Sequence, residues 1–271
     1  MNLKSIPILY EDKDVLVVNK PAGLVVHSDG RTDEPTLVDW LLENYPEIKG
    51  VGEGQNQESR IRNQESPSVE RSGIVHRLDR ETSGVLVIAK NQSAFLFLKK
   101  QFQDREVEKT YHAFVYGEMK QDDGVIDRPI ARSKSNPVIW SATRGMKGKE
   151  REAVTEYKVL ARSNPSRSDS FGSVRQDGFS FVEVRPKTGR THQIRVHMKA
   201  INHPVVCDKL YAPARVQRAG GPKKDCELGF SRLALHAFSV RFALPSGKQI
   251  KVEAPYPADF QKALKEWNYE F

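Results

Sequence analysis

Three short stretches of this 271-residue chain gather the side chains that could do chemistry. HRLDRETSG holds His76, Arg77, Asp79, Arg80, Glu81, Thr82 and Ser83; EKTYHAF holds Lys109, Tyr111 and His112. RPKTGRTHQIRVHMK packs Arg185, Lys187, Arg190, His192, Arg195, His197 and Lys199 into fifteen residues. An aspartate between arginines suits a carboxylate held anionic by a neighbouring guanidinium. A tyrosine beside cations offers an aromatic face with a polar tip. The basic run suits phosphates.

The third stretch has the most constrained geometry. If a helix begins near Thr191, then Ile194, Met198 and Ile201 form an apolar stripe. At roughly 100° per residue, His192 and Lys199 point about 140° to 160° away from Ile194, and Arg195 lies near 100°. That spacing predicts a half-buried guanidinium, which needs an anionic partner or a set of acceptors. An ionised Asp79 in a water-poor site needs a cation in turn, so the two are expected to pair. The KTGR turn ahead of the helix offers backbone donors and basic side chains to a phosphate. His192 and His197 are five apart, which does not match the helical zinc pair at four. No metal site is expected. A metal-dependent hydrolase built on His76, Asp79, His192 and His197 is the weaker alternative chemistry. Cys207 and Cys226 stand far apart in no CxxC pairing, so reduced thiols are expected.

These residues need a frame. ILYEDKDVLVVNK reads as two strands around a charged turn at residues 11–14, and GIVH and GVLVIAK as β-rich runs flanking Asp79. TLVDWLLENY reads as a helix capped by Thr36, NQSAFLFLKKQFQDR as an amphipathic helix with Phe95, Leu98 and Phe102 on one face, and PADFQKALKEW as a closing helix. VEKTYHAFVYG, REAVTEYKVLAR and FSFVEVR read as strands, and ALHAFSVRFALPSGKQIKVEAP as a hairpin. Strands outnumber helices and are joined by hairpins, giving an α+β protein with a mixed, mainly antiparallel sheet. Residues 50–72 and 163–178 are polar and poor in large apolar groups, as in surface insertions. No repeat or linker divides the chain, so one domain over residues 1–271 is expected.

Composition bounds the function class. Hydrophobic residues make up 38%, as in a globular protein, and 43 Lys and Arg against 35 Asp and Glu leave a net charge of +8. That excess suits a polyanion such as nucleic acid. No apolar run approaches the roughly 20 residues of a membrane helix. MNLKSIPILYEDKD lacks the shape of a secretory signal, so cytoplasm is the expected location and a monomer the default state.

HRLDRETSG, together with YEDKDVLVVNKPAGLVVH, EKTYHAFVYG, RPKTGRTHQIRVHMKAINHPVVCDKLY and LALHAFSVRFALPSG, resembles the RluA-type pseudouridine synthases. The motifs occur in the family's order and cover nearly the whole chain outside the two insertions. The resemblance implies the pseudouridine synthase fold, with flanking helices and a central catalytic cleft. It also implies isomerisation of specific uridines in structured RNA, large-subunit ribosomal RNA or transfer RNA, without a cofactor. It makes Asp79 the catalytic aspartate, Tyr111 the residue that packs on the target base and helps deprotonate C5, and Arg195 the ion-pair partner of Asp79. Arg77 becomes the side chain that helps displace the base. Arg80, Lys109, Lys187, Arg190, His192 and Lys199 are the further expected RNA contacts. Many relatives carry an N-terminal S4-type RNA-binding domain, and few residues precede ILYEDKD, so substrate grip is expected from the catalytic domain. Cys207 and Ala212 stand where glycine is common in the family, which bears on that loop's backbone shape. A non-catalytic RNA-binding or ribosome-assembly protein on the same fold is the alternative.

Overall fold

In the computed structural model, residues 5–28, 34–53, 72–136, 138–143, 145–163, 178–212, 227–267 and 269 are described. Most of the two polar insertions, and Cys226, lie outside them. The chain divides into two compact units, residues 1–108 with 239–254, and residues 109–238 with 255–271.

The first unit is built on an antiparallel meander. β1 (Ile8–Glu11) pairs with β2 (Val15–Lys20), and β2 pairs with β3 (Ser83–Ala89) in register from Val15 opposite Ala89 to Lys20 opposite Gly84. The charged turn forms where expected. Asp12 Oδ1 accepts from the N–H groups of Asp14 and Val15 at 2.8 and 2.7 Å, so the side chain closes the turn. Every residue of β3 is buried, consistent with its unbroken apolar run. Helix α1 (Leu37–Asn44) starts at a capping box: Thr36 Oγ1 accepts from the Asp39 N–H, and Asp39 Oδ2 accepts from the Thr36 N–H at 2.7 Å. Helix α2 (Gln92–Gln103) is capped by Asn91 and buries Phe95 and Leu98, while Phe102 stacks on His76. Buried Gln101 exchanges two 2.9 Å hydrogen bonds with the Ala243 backbone, tying α2 to the end of β11 (Leu235–Ala243). β11 turns at Pro245–Gly247 into β12 (Gln249–Glu253), the expected hairpin.

GIVH is not the strand that its composition suggests. It makes a single bridge, Ile74 to Ile88, because the chain turns at Gly73 with φ +75°. A Cβ there would lie 2.2 Å from the Ala89 carbonyl oxygen. Only glycine permits that approach.

The second unit carries four antiparallel strands in the order β4 (Glu108–Tyr116), β10 (Phe179–Pro186), β9 (Val154–Arg162) and β5 (Asp123–Asp127). Phe114 of β4 sits 4.7 Å from Phe181, 5.3 Å from Phe230 and 5.5 Å from Phe260, measured between ring centres. This aromatic cluster receives Met198 from α3 (Gln193–Ala200) and Leu264 from α4 (Ala258–Glu266). A separate small sheet has the order β7 (Trp140–Ser141), β6 (Ile130–Ser133), β8 (Met146–Arg151). No element was expected over residues 118–150. β8, MKGKER, is exposed along nearly all its length, so it lacks the apolar alternation that marks a half-buried strand, and backbone pairing with β6 defines it.

Two local expectations change. The helix starts at Gln193 rather than Thr191, because His192 adopts a left-handed conformation with φ 56° and ψ 19°. Cys207 is disulfide-bonded, which overturns the expectation of reduced thiols. Cys207 also has φ +62°, so a side chain occupies the backbone conformation that glycine would take most easily.

Candidate active site

Asp79 lies in the first unit, half-buried, after the buried Leu78, and its carbonyl accepts from the Thr82 N–H at 3.1 Å. The turn is anchored from beneath by Lys20, which is fully buried. Its ammonium donates to the carbonyls of Pro21 and Leu24, both at 2.8 Å, and of Arg80 at 3.1 Å. The Gly23 N–H donates to the same Arg80 carbonyl at 2.8 Å. A buried cation is tolerable here because acceptors replace its water. The NKPAGL and HRLDR segments are thereby latched together. Above that latch Arg80 turns its guanidinium to Glu34, at 2.6 Å, and Arg77 is exposed. His76 Nε2 accepts from the Val87 N–H at 2.9 Å, which places its proton on Nδ1. That bond ties the segment to β3.

Tyr111 and Arg195 belong to the second unit. Tyr111 stands on β4 opposite Val184, half-buried against the apolar cluster, with Lys109 half-buried two residues earlier. Adjacent His112 points to the other face, buried, stacked on Phe238 at 4.3 Å and hydrogen-bonded to the Tyr256 hydroxyl. A strand's period of two separates their environments.

Helix α3 is held by side-chain hydrogen bonds at its entry. Gln193 Oε1 accepts from the Thr188 hydroxyl at 2.7 Å and the Arg190 N–H at 3.0 Å, and its amide donates to the Val154 carbonyl and Thr155 Oγ1. The Arg190 N–H, one of the backbone donors the KTGR turn was expected to offer a phosphate, is engaged in this way. His197, fully buried, uses Nδ1 with Thr155 Oγ1 at 2.8 Å and Nε2 with the Arg128 carbonyl at 3.0 Å. Burial pushes its pKa below the ordinary imidazole value. With both nitrogens occupied, His197 serves poorly as a metal ligand, which weakens the hydrolase alternative.

Arg195 is more deeply placed than helical phase alone predicted, with 7% of the residue exposed. It meets a carboxylate that the sequence did not single out. Asp208 takes its Nε at 2.7 Å on Oδ2 and its Nη2 at 2.8 Å on Oδ1, a two-point clamp on a fully buried acid. The guanidinium lies 5.0 Å above the ring of buried Tyr211. Lys199 covers the same ring at 5.6 Å, and His192 Nδ1 meets the Tyr211 hydroxyl at 2.8 Å. Arg195, His192 and Lys199 thus converge on Tyr211 within one unit. Sequence reasoning missed Asp208 and Tyr211, although the need for an acid near Arg195 was the signal that could have found the first.

The remaining expected RNA contacts lie at the surface or near it. Lys187 pairs with Glu156 at 2.8 Å, Arg190 Nε donates to the Glu152 carbonyl at 3.1 Å, and Lys199 is exposed. An exposed ion pair contributes about 0–1 kcal/mol, so a phosphate can displace the Glu156 carboxylate from Lys187 at small cost.

Residues 14–200 match the RNA pseudouridylate synthase family. The chain belongs to that family. It is an RNA pseudouridine synthase, an isomerase of uridine in RNA. The synthase is 38% identical to an uncharacterized RNA pseudouridine synthase of Bacillus subtilis over 95% of its own length and 71% of that protein. It is 36% identical to the ribosomal large subunit pseudouridine synthase D of Zymomonas mobilis, covering 95% of this chain and 71% of that one. Human RNA Pseudouridylate Synthase Domain Containing 1 superposes with a TM-score of 0.67 at 26% identity, over 95% of this synthase and 86% of the human chain. The α+β reading with a mainly antiparallel sheet is the family fold. Among the described residues no helix is long and apolar enough to cross a membrane.

Proposed function

We propose that the synthase acts on large-subunit ribosomal RNA, with Asp79 as the catalytic carboxylate, Tyr111 against the flipped base and Arg195 as a catalytic cation. The observation that carries the role of Arg195 is its burial as a fixed, clamped guanidinium, a costly arrangement with no value on a merely solvated basic face. Relatives named for the large ribosomal subunit support the substrate class.

The reaction breaks the N1–C1′ bond of uridine, turns the uracil and rejoins it through C5. The C5 proton is lost and N1 carries a proton in the product. No atom is gained and no electron leaves, so the chemistry asks for no cofactor. The target uridine must first leave its stack, which costs a few kcal/mol. Arg77, Arg80, Lys109, Lys187, Arg190, His192 and Lys199 would offset that by holding phosphates, and the Tyr111 ring by stacking. Asp79 then acts as an anion, by attack on C1′ or by assisting departure of the uracil. In this reading the synthase works in the cytoplasm as a monomer. The test is tritium release from large-subunit ribosomal RNA and bulk transfer RNA, each labelled at uridine C5. Release from ribosomal RNA alone supports the reading, and release from transfer RNA alone overturns its substrate class.

A further inference from the structure

We propose that Asp208 is a positioning residue of this synthase, acting through Arg195; the proposal rests on the catalytic role given to Arg195 above. Three features distinguish Asp208 from an acid that happens to find a cation. Its side chain is fully buried, where an unpaired charge would be severely costly. Its oxygens divide the work: Oδ2 receives only Arg195 Nε among the described contacts, while Oδ1 receives Arg195 Nη2 and the N–H groups of Leu210 and Tyr211 at 2.9 and 3.1 Å. The same carboxylate therefore fixes its own turn and aims the guanidinium. Finally, Tyr211, which that turn places, lies 5.0 Å under the guanidinium and stops it from tilting off the plane set by the clamp.

A planar fork held along its Nε–Nη2 edge has one orientation left to offer a second anion. Without Asp208, Arg195 would keep its charge and lose that fixed direction. Asp208 thus acts on the rate through geometry. A shift of about 1 Å at a reacting centre can cost on the order of 100-fold.

The chemistry of the two oxygens supplies selective variants. In Asp208→Asn the amide oxygen can occupy the Oδ1 position and keep both backbone caps, but the NH2 group then faces the Arg195 Nε–H, donor against donor. In Asp208→Ser the hydroxyl can still accept from the turn N–H groups but is too short to reach the guanidinium, so this variant serves if the asparagine form does not fold. Steady-state tritium release from large-subunit ribosomal RNA and bulk transfer RNA labelled at uridine C5 is measured for both variants, with and without Arg195→Lys. The expected result is a fall in kcat on the order of 10- to 100-fold, KM within about twofold, and almost no further loss when the change is added to Arg195→Lys. A purely structural role predicts the same proportional loss in both backgrounds, and that result would overturn the proposal, as would an unchanged kcat. The Arg195 Nε–H proton resonance reads the clamp without turnover. It should be protected from exchange in the wild type and lose protection in either variant, and an unprotected wild-type signal removes the clamp. Wild-type protein that turns over neither RNA refutes the activity reading and the positioning role with it, leaving a protected resonance to mark a structural ion pair only.

Discussion

Replacing Gly73 by alanine tests how the catalytic segment is seated. Gly73 opens GIVHRLDRETSG and has φ +75°, a conformation that costs an L-residue about 1–2 kcal/mol. The added Cβ would meet the Ala89 carbonyl oxygen at 2.2 Å and the side chains of Ile48 and Ile88 at 3.0 Å. The first contact is with backbone, so no side-chain rotation relieves it. The chain must move, and two hydrogen bonds are then at risk: Gly73 N–H to the Val51 carbonyl at 2.7 Å and Ala89 N–H to the Gly73 carbonyl at 2.9 Å. At about 1 kcal/mol each, with the backbone strain, the loss comes to about 3–4 kcal/mol. A protein of this size shifts by roughly 2–4 °C per kcal/mol, so Tm should fall by about 10 °C. Gly247→Ala is the control, with φ +85° and nothing within 4 Å of the new Cβ. It should show the strain of about 1–2 kcal/mol alone. Thermal unfolding followed by circular dichroism measures both. Equal shifts in the two variants would refute the claim that close approach to β3 sets this position.

Three further outcomes follow from other sites. His197 is buried with a lowered pKa, so the unfolded chain binds its proton first as pH falls; its contribution to stability is full above about pH 6.5 and is lost as pH falls from there toward the folded value. Urea midpoints between pH 7.5 and 5 should therefore drop more steeply in the wild type than in His197→Asn, and parallel curves would contradict this. Lys20→Met removes the donor shared by the Pro21, Leu24 and Arg80 carbonyls, and orphaned buried acceptors cost about 1–3 kcal/mol each; a Tm within about 2 °C of wild type would show that the latch carries no stability. Tyr111→Phe should bind RNA within about threefold of wild type and lose rate by about 100-fold or more, since proton transfer by a positioned group is worth about 10²–10⁴-fold. Single-turnover kinetics beside filter binding separates the two.

Much of the frame could be read from residue order because local chemistry and tertiary packing agree there. The Thr36 capping box, the Asp12 turn and the apolar run of β3 are each specified by neighbours in sequence. The phase of Ile194, Arg195 and Met198 likewise drew a guanidinium inward, to half-buried, where the structure buries it. What escaped depends on contacts that no local pattern encodes. β8 carries charge on both faces and exists through pairing with β6. GIVH has strand composition but bends at Gly73 to fit under Ala89. His192 takes a left-handed backbone that shortens its helix, with its imidazole on the Tyr211 hydroxyl. Asp208 lies on a separate turn thirteen residues from Arg195, outside any helical or strand period.

The central claim is that Asp79 drives uridine isomerisation in ribosomal RNA, and tritium release from C5-labelled large-subunit ribosomal RNA by the wild type and Asp79→Asn tests it most directly. Asparagine keeps the size of the side chain and removes the charge. The account predicts release by the wild type and essentially none by a variant whose unfolding curve is unchanged. Release by Asp79→Asn at a rate comparable to wild type would contradict it.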